Sequence, residues 1–262
     1  MSVEERNIKS ADEVVLNCKN LVKTFPSHKG GTDLILDDIS IEIRKNEFVV
    51  LLGPGQCGKT TLLNIFAGLS AQTGGDVSCE GAPIEGPSTD RGMVFQEMGL
   101  FPWKTVMGNV TMGPRLNGVE KKEREKIAQD CINLVGLTGF EKAYPHQLSG
   151  GMKQRVGIAR AYANNPKIML MDEPFGHLDA QTRYQMQGEI LKIWQNHKRT
   201  IVFVTNNLEE AVFLGDRIIL LSKCPATVKE EYVVGLPHPR NQTAASFMEL
   251  RQRIAEQMDI DI

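Results

Sequence analysis

The segment Gly53-Pro54-Gly55-Gln56-Cys57-Gly58-Lys59-Thr60 constrains this chain more than any other. It fits the pattern G-x-x-x-x-G-K-[ST], follows a continuous apolar run of strand length (Phe48 to Leu52), and precedes a helical pattern, Thr61-Leu62-Leu63-Asn64-Ile65-Phe66. Glycines let successive backbone N–H groups curl around an anion, and the helix that follows offers its positive end to phosphate. In such a loop Lys59 reaches the β- and γ-phosphates of a nucleotide and the Thr60 hydroxyl holds Mg²⁺. Gln56 stands where backbone angles usually favour glycine, so either it adopts them or the loop curls differently.

A wholly apolar strand is buried on both faces, as in a parallel sheet. Ile168 to Met171, Ile201 to Val204 and Ile218 to Leu221 repeat the pattern, with helical stretches at Thr182 to Trp194 and Leu208 to Leu214. Strands alternating with helices predict an α/β domain with a mostly parallel central sheet. Earlier in the chain, Val14-Val15-Leu16 predicts a short strand and the alternation Ile39, Ile41, Ile43 a half-exposed one, with a turn or loop at Pro26 to Thr32 between them. The region from about Met98 to Gln147 has no buried-strand run and carries the charged helical stretch Glu120 to Leu134, whose charge run reads as a solvated face. It is expected to be a helical insert. Phe247, Leu250, Ile254 and Met258 share one face of a last helix, Ala244 to Met258, which is expected to dock on the core. The first dozen residues read as an arm outside the fold.

Composition narrows the function classes. With 262 residues, 41% hydrophobic and 24% charged, the chain is an ordinary globular one. Phe48 to Leu52, its longest apolar run, falls far short of the roughly 20 residues a membrane span needs. The polar N-terminus lacks the apolar core of a signal peptide. A net charge of −2 gives no electrostatic case for nucleic acid. Cys18, Cys57, Cys79, Cys131 and Cys224 are scattered without a C-x-x-C pair, which argues against structural zinc or a disulfide framework and for a reducing cytosol.

Asp172-Glu173 ends the apolar run Ile168 to Met171. In a phosphate-loop nucleotidase an Asp at that strand end holds Mg²⁺, directly or through water, and a neighbouring Glu orients or deprotonates the attacking water.

Leu148-Ser149-Gly150-Gly151-Met152-Lys153-Gln154-Arg155 resembles the signature of the ATP-binding-cassette (ABC) ATPases. The rest of that family's pattern is matched in order over nearly the whole chain: the phosphate loop, a Gln after a strand (Val94-Phe95-Gln96-Glu97), the signature, Asp172-Glu173, and the loop Gly176-His177-Leu178-Asp179. The resemblance implies a RecA-like P-loop nucleotidase core with a small antiparallel β subdomain and an α-helical insert. These would form one cassette over 1–262: about 14–97 and 155–235 as β and RecA-like core, about 98–154 as insert with signature, about 236–262 as C-terminal helix. It implies ATP and Mg²⁺ as cofactors. Gly53 to Thr60 together with Thr61 would hold the phosphates, and Phe25 would stack on adenine. Thr60, Gln96 and Asp172 would hold the metal, and Glu173 would be the general base. It also implies a second cassette, as a homodimer packed head to tail. Ser149 and the N–H groups of Gly150 and Gly151 would then contact the γ-phosphate held by the opposite subunit, with Asp179 at the seam.

One departure stands out. Family members usually carry a histidine after the strand following the catalytic one; here Ile201 to Val204 leads to Thr205-Asn206-Asn207, and Asn206 holds that position. Asparagine still donates an amide hydrogen bond, but it is shorter and never cationic. A hydrogen bond to a charged group is worth roughly 1.5–3 kcal/mol, so its outright loss slows hydrolysis about ten- to hundredfold. With Glu173 intact, slow but real turnover is expected.

Phe101-Pro102-Trp103 lies where family members receive a membrane subunit, and with Gly86 to Gln96 it resembles the import cassettes for nitrate, taurine and alkanesulfonates. The resemblance thus implies polytopic permease subunits, a solute-binding protein outside the membrane, and a place at the cytoplasmic face of the membrane through the permease. A soluble cassette not coupled to transport and one half of a heterodimeric pair stay open as alternatives.

Overall fold

The computed structural model describes residues 13–27, 30–176, 178–197 and 199–258. The arm expected over the first dozen residues, His28 and Lys29 of the early loop, and His177 lie outside the described residues. Along the chain the elements are β1 (Val14–Pro26), β2 (Thr32–Arg44), β3 (Phe48–Leu52), α1 (Lys59–Ala67), β4 (Gly74–Cys79), β5 (Ala82–Pro83), β6 (Arg91–Val94), α2 (Val106–Val110), α3 (Met112–Leu116), α4 (Lys121–Leu134), α5 (Gly150–Tyr162), β7 (Ile168–Asp172), α6 (Ala180–His197), β8 (Thr200–Thr205), α7 (Leu208–Leu214), β9 (Arg217–Leu221), β10 (Val228–Val233) and α8 (Ala245–Ala255). They fall into two compact units, Met1–Pro87 with Lys198–Ile262, and Ser88–His197.

The first unit holds an antiparallel sheet in the order β2-β1-β4-β5 and the strands β10-β9-β3-β8. In β2 the expected alternation is realised: Ile39, Ile41 and Ile43 are buried while Ser40, Glu42 and Arg44 are exposed. β1 is far longer than its apolar start. It runs against β2 from Val14↔Arg44 to Pro26↔Thr32 through several register shifts. Asn20 and Asp38 take left-handed angles there (φ 47° and 51°), and the Asn20 amide donates to the Asp38 carboxylate at 2.7 Å. Asn and Asp tolerate such angles where other residues do not.

β3 is buried at all five positions and pairs in parallel with both β8 and β9, while β10 closes the edge antiparallel to β9. The Phe48 and Phe203 rings meet across β3 and β8 at 6.0 Å. Arg217 at the start of β9 donates to Glu47 and Glu231 at 2.7 Å each and to the Glu42 carbonyl, tying β9 to β10 and to the end of β2. The last helix forms over Ala245–Ala255 and packs on α7 with Phe247 and Ile254 buried and Leu250 half-buried, but it ends before Met258, which the expected helix had included. Among the described residues no helix is long and apolar enough to cross a membrane.

In the second unit β6 and β7 pair in parallel, Val94 opposite Met171. α5 packs against β6, α2 and α4. α4 buries Ala128, Cys131 and Ile132 and leaves its Lys/Glu face to solvent, as its charge pattern requires.

Candidate functional site

In the first unit the register of β3 and β8 sets the geometry. Leu52 pairs with Thr205, so the phosphate loop and Asn206 leave the carboxyl ends of neighbouring parallel strands side by side. Ligands of open α/β sheets bind at those ends. Gln56 does adopt the left-handed angle the sequence raised as one alternative, with φ 61°. Gly58 lies at φ 113°, and a Cβ there would come within 2.8 Å of Leu36 Cδ2 and 3.0 Å of Ile35 Cγ2, so only glycine fits against β2. Lys59 is 3% exposed; its ammonium donates to the Gly53 carbonyl at 2.9 Å and the Pro54 carbonyl at 2.7 Å. The lysine thus folds back over the loop it follows, holding the loop's shape and its own charge at the centre. α1 has no acidic residue in its first turn, leaving its positive end uncompensated by a carboxylate. Cys57 is buried, which pushes its thiol pKa up despite the nearby Lys59 charge. Phe25 is 40% exposed at the end of β1, with Lys23 Nζ 4.6 Å from its ring centroid, so it is a surface ring and not a core one.

Asn206 is exposed on a turn that its neighbours hold rigid. The buried Thr205 hydroxyl donates to Glu210 at 2.6 Å and accepts from the Asn207 N–H at 3.0 Å. Asn207 caps α7, its side-chain oxygen accepting from the Glu210 N–H at 3.0 Å.

In the second unit, β6 and β7 again bring loop residues to one end. Asp172 is the last, buried residue of β7. Glu173, the next, has φ 38°, a strained conformation for a residue with a side chain and one that concentrates at functional sites. Gly176 donates its N–H to the Glu173 carbonyl at 3.0 Å, and a Cβ on Gly176 would lie 4.0 Å from both Gln96 Nε2 and Glu173 Oε2. Gln96 and Glu173 therefore flank one glycine.

The signature serine caps α5, its Oγ accepting from the Met152 N–H at 3.3 Å. Ser149 and Gly150 are exposed, while Gly151 is buried so tightly that a Cβ would come 2.6 Å from Thr182 Cγ2. Thr182 in turn donates its N–H (3.0 Å) and hydroxyl (2.7 Å) to Asp179, and these bonds hold the Asp179 carboxyl below its ordinary pKa. The signature helix and the Asp179 turn are thus in direct contact.

Thr60 in the first unit carries a hydroxyl, and Gln96 and Asp172 in the second carry an amide and a carboxylate oxygen, the kinds of hard donor that would suit Mg²⁺. Among the described residues no group of three or more His, Cys, Asp or Glu side chains is placed to hold a metal.

Trp103 is 71% exposed, its ring displayed to solvent. Its loop is pinned from below by the fully buried Asn109, which accepts from the Phe101 N–H (2.8 Å) and donates to the carbonyls of Phe101, Lys104 and Thr105. Arg160 holds the preceding stretch by the Gly99 and Met98 carbonyls at 2.7 and 2.8 Å, its guanidinium 5.8 Å from the Phe101 ring.

Sequence reasoning missed Thr205, Asn207 and Glu210 as supports of the Asn206 turn. The Asn-x-x-Glu spacing at Asn207 to Glu210 is a helix-start signal that would have found two of them.

The family model described as "ABC transporter" matches residues 36–176. An uncharacterized ABC transporter ATP-binding protein of Methanocaldococcus jannaschii is 51% identical over 242 residues, 92% of this chain and 90% of that one. The nitrate import ATP-binding protein of Synechocystis is 46% identical over 219 residues (82% of each chain), and the aliphatic sulfonates import ATP-binding protein of Bacillus cereus 40% over 240 residues (92% and 94%). A solved dimeric ATP-binding cassette in a post-hydrolysis state, bound to ADP and Pi, superimposes with TM-score 0.74 at 32% identity, covering 85% of this chain and all of the other.

Proposed function

Because the chain belongs to the ABC transporter family and is an ATPase with the RecA-like cassette fold, we propose that it powers import of a small solute of the nitrate, sulfonate or taurine class through a separate permease. Two copies would work as a homodimer at the cytoplasmic face of the membrane, held there by the permease and served by a solute-binding protein. Within the chain, residues of about 98–154 would act as the helical insert that meets the permease. Lys59 and the loop N–H groups would bind the phosphates, Phe25 the adenine, and Ser149, Gly150 and Gly151 the γ-phosphate of the partner's nucleotide. Glu173 would take a proton from the attacking water, with Gln96 positioning that water. Thr60, Gln96 and Asp172 would hold Mg²⁺, which when bound neutralises charge on the phosphates. Asn206 would donate to the γ-phosphate in place of an imidazolium.

The observation that supports coupling to a partner is Trp103, a large aromatic displayed to solvent on a loop fixed by five polar contacts of Asn109 and Arg160 with its carbonyls and one with an N–H. A rigid exposed aromatic is the kind of residue that anchors an interface. The test is affinity purification of the full chain from its native membranes. Recovery of a polytopic membrane protein, lost in Trp103→Ala, supports the reading; recovery of ribosomes or a cytosolic scaffold instead, unaffected by Trp103→Ala, refutes it. Screening the co-produced solute-binding protein against nitrate, taurine and alkanesulfonates then identifies the cargo.

A further inference from the structure

We infer that Arg240, in the segment between β10 and α8, is a positioning residue for ATP hydrolysis, acting through α7 on the turn that presents Asn206. The inference rests on the proposed role of Asn206 and goes beyond it.

α7 has seven residues, too few to be stable or to hold an orientation alone. Its N-terminal end is fixed by the Asn207 cap and by the Thr205–Glu210 hydrogen bond, made by the two residues that flank Asn206. Its C-terminal end is held by the backbone bonds of Asp216 with Phe48 and Val234 and by one buried side chain, Arg240. Arg240 Nη1 donates to the carbonyls of Val212 at 2.8 Å, Phe213 at 3.3 Å and Gly215 at 2.7 Å. Its Nε donates to the Leu236 carbonyl at 3.0 Å and Nη2 to the Val234 carbonyl at 3.4 Å. Arg240 is 5% exposed; burial lowers its pKa to about 10, and the Asp216 charge offsets part of that shift.

Five carbonyls from two chain segments, 212–215 and 234–236, therefore converge on one rigid planar cation, which only a guanidinium can serve at once. Helix ends are orphaned acceptors, and a buried C-terminus without such a partner is costly. Removing the clamp takes the guanidinium from the Val212, Phe213 and Gly215 carbonyls and loosens the C-terminal end of α7 relative to its capped end. Glu210, in the first turn, then moves relative to Thr205, and with it the Asn206 amide. The phosphate loop has its own supports in Lys59, Leu36 and Ile35, so nucleotide binding should survive. This makes Arg240, 34 residues beyond Asn206 in sequence, a determinant of the chemical step and not of affinity.

The experiment measures kcat, KM and nucleotide affinity of the full chain for Arg240→Ala, Arg240→Lys, Asn206→Ala and the double variant Asn206→Ala/Arg240→Ala. The expected result for Arg240→Ala is a loss of about tenfold in kcat with affinity unchanged within about twofold. Arg240→Lys, which keeps the charge without the fork, should fall between, and sub-denaturing guanidinium should restore part of the Arg240→Ala rate. The double variant should lose no more than Asn206→Ala alone, because both act through one group. Additive losses in the double variant, or equal losses in kcat and affinity without guanidinium rescue, overturn the inference in favour of a merely structural role. If Asn206→Ala keeps full kcat, the Asn206 reading fails with it. If Asn206→Ala loses activity and Arg240→Ala does not, only the clamp fails.

Discussion

Gly151→Ala is the most informative small perturbation in the second unit. The added Cβ would lie 2.6 Å from Thr182 Cγ2, where contacting carbons sit about 3.5–4.0 Å apart. Roughly 1 Å must be made up, by a threonine that cannot rotate away without giving up its 2.7 Å hydroxyl bond to Asp179. Overpacking of this kind costs about 1–3 kcal/mol. Alanine's better helix propensity, about 1 kcal/mol, opposes it, so the expected net loss is up to about 2 kcal/mol. Thr182→Ser removes the clashing methyl and keeps the hydroxyl. Alone it should cost up to about 0.8 kcal/mol for the lost methyl, but combined with Gly151→Ala it should return stability to near the wild-type level. Chemical denaturation of the four proteins gives the cycle, with an expected coupling of about 2 kcal/mol. Additivity to within about 0.5 kcal/mol would show that the glycine is not required by Thr182 and would sink the proposed contact between signature helix and Asp179 turn.

Two further outcomes follow from the same geometry. Asn206→His, on an exposed and rigid turn with room for the larger ring, should raise kcat about ten- to hundredfold in the assembled complex; an unchanged rate would mean that this position does not limit hydrolysis. Asp179 is held below its ordinary pKa chiefly by the Thr182 N–H and then by its hydroxyl. A depressed folded-state value contributes stability that is present above the unfolded value near 4 and is lost as pH falls through the folded value. An NMR titration should therefore find the Asp179 midpoint below that of an unperturbed aspartate, and Thr182→Val, which removes one of the two donors, should move it up. A midpoint that does not move would assign the shift to the backbone bond alone.

The parallel core was legible because its strands are buried on both faces and so read as unbroken apolar runs; β3, β7, β8 and β9 all lie where those runs do. β4 and β10 were not, because each buries a single side chain, Val77 and Tyr232, and is recruited by pairing with β1 and β9 more than by its own pattern. The end of β1 was hidden for a similar reason, since its bulges at Asn20 break the period of two. At the site, residues that must be one chemical type at one spacing were readable: the glycines and lysine of the phosphate loop, Asp172-Glu173, and the signature. The residues that hold those groups in place were not. Arg240, Asn109 and Thr205 act through contacts with backbone carbonyls or with residues brought close only by folding, and a polar side chain in a loop carries no periodic signal of its partners.

Single-turnover ATP hydrolysis by the full chain, wild type against Glu173→Gln, tests the central claim most directly. General-base catalysis contributes about 10²–10⁴-fold, and glutamine keeps the shape of the side chain while being unable to accept the water's proton. The predicted result is at least about a hundredfold loss of rate with nucleotide binding intact. A Glu173→Gln chain that binds ATP and hydrolyses it at the wild-type rate would contradict the assignment of Glu173 as the base.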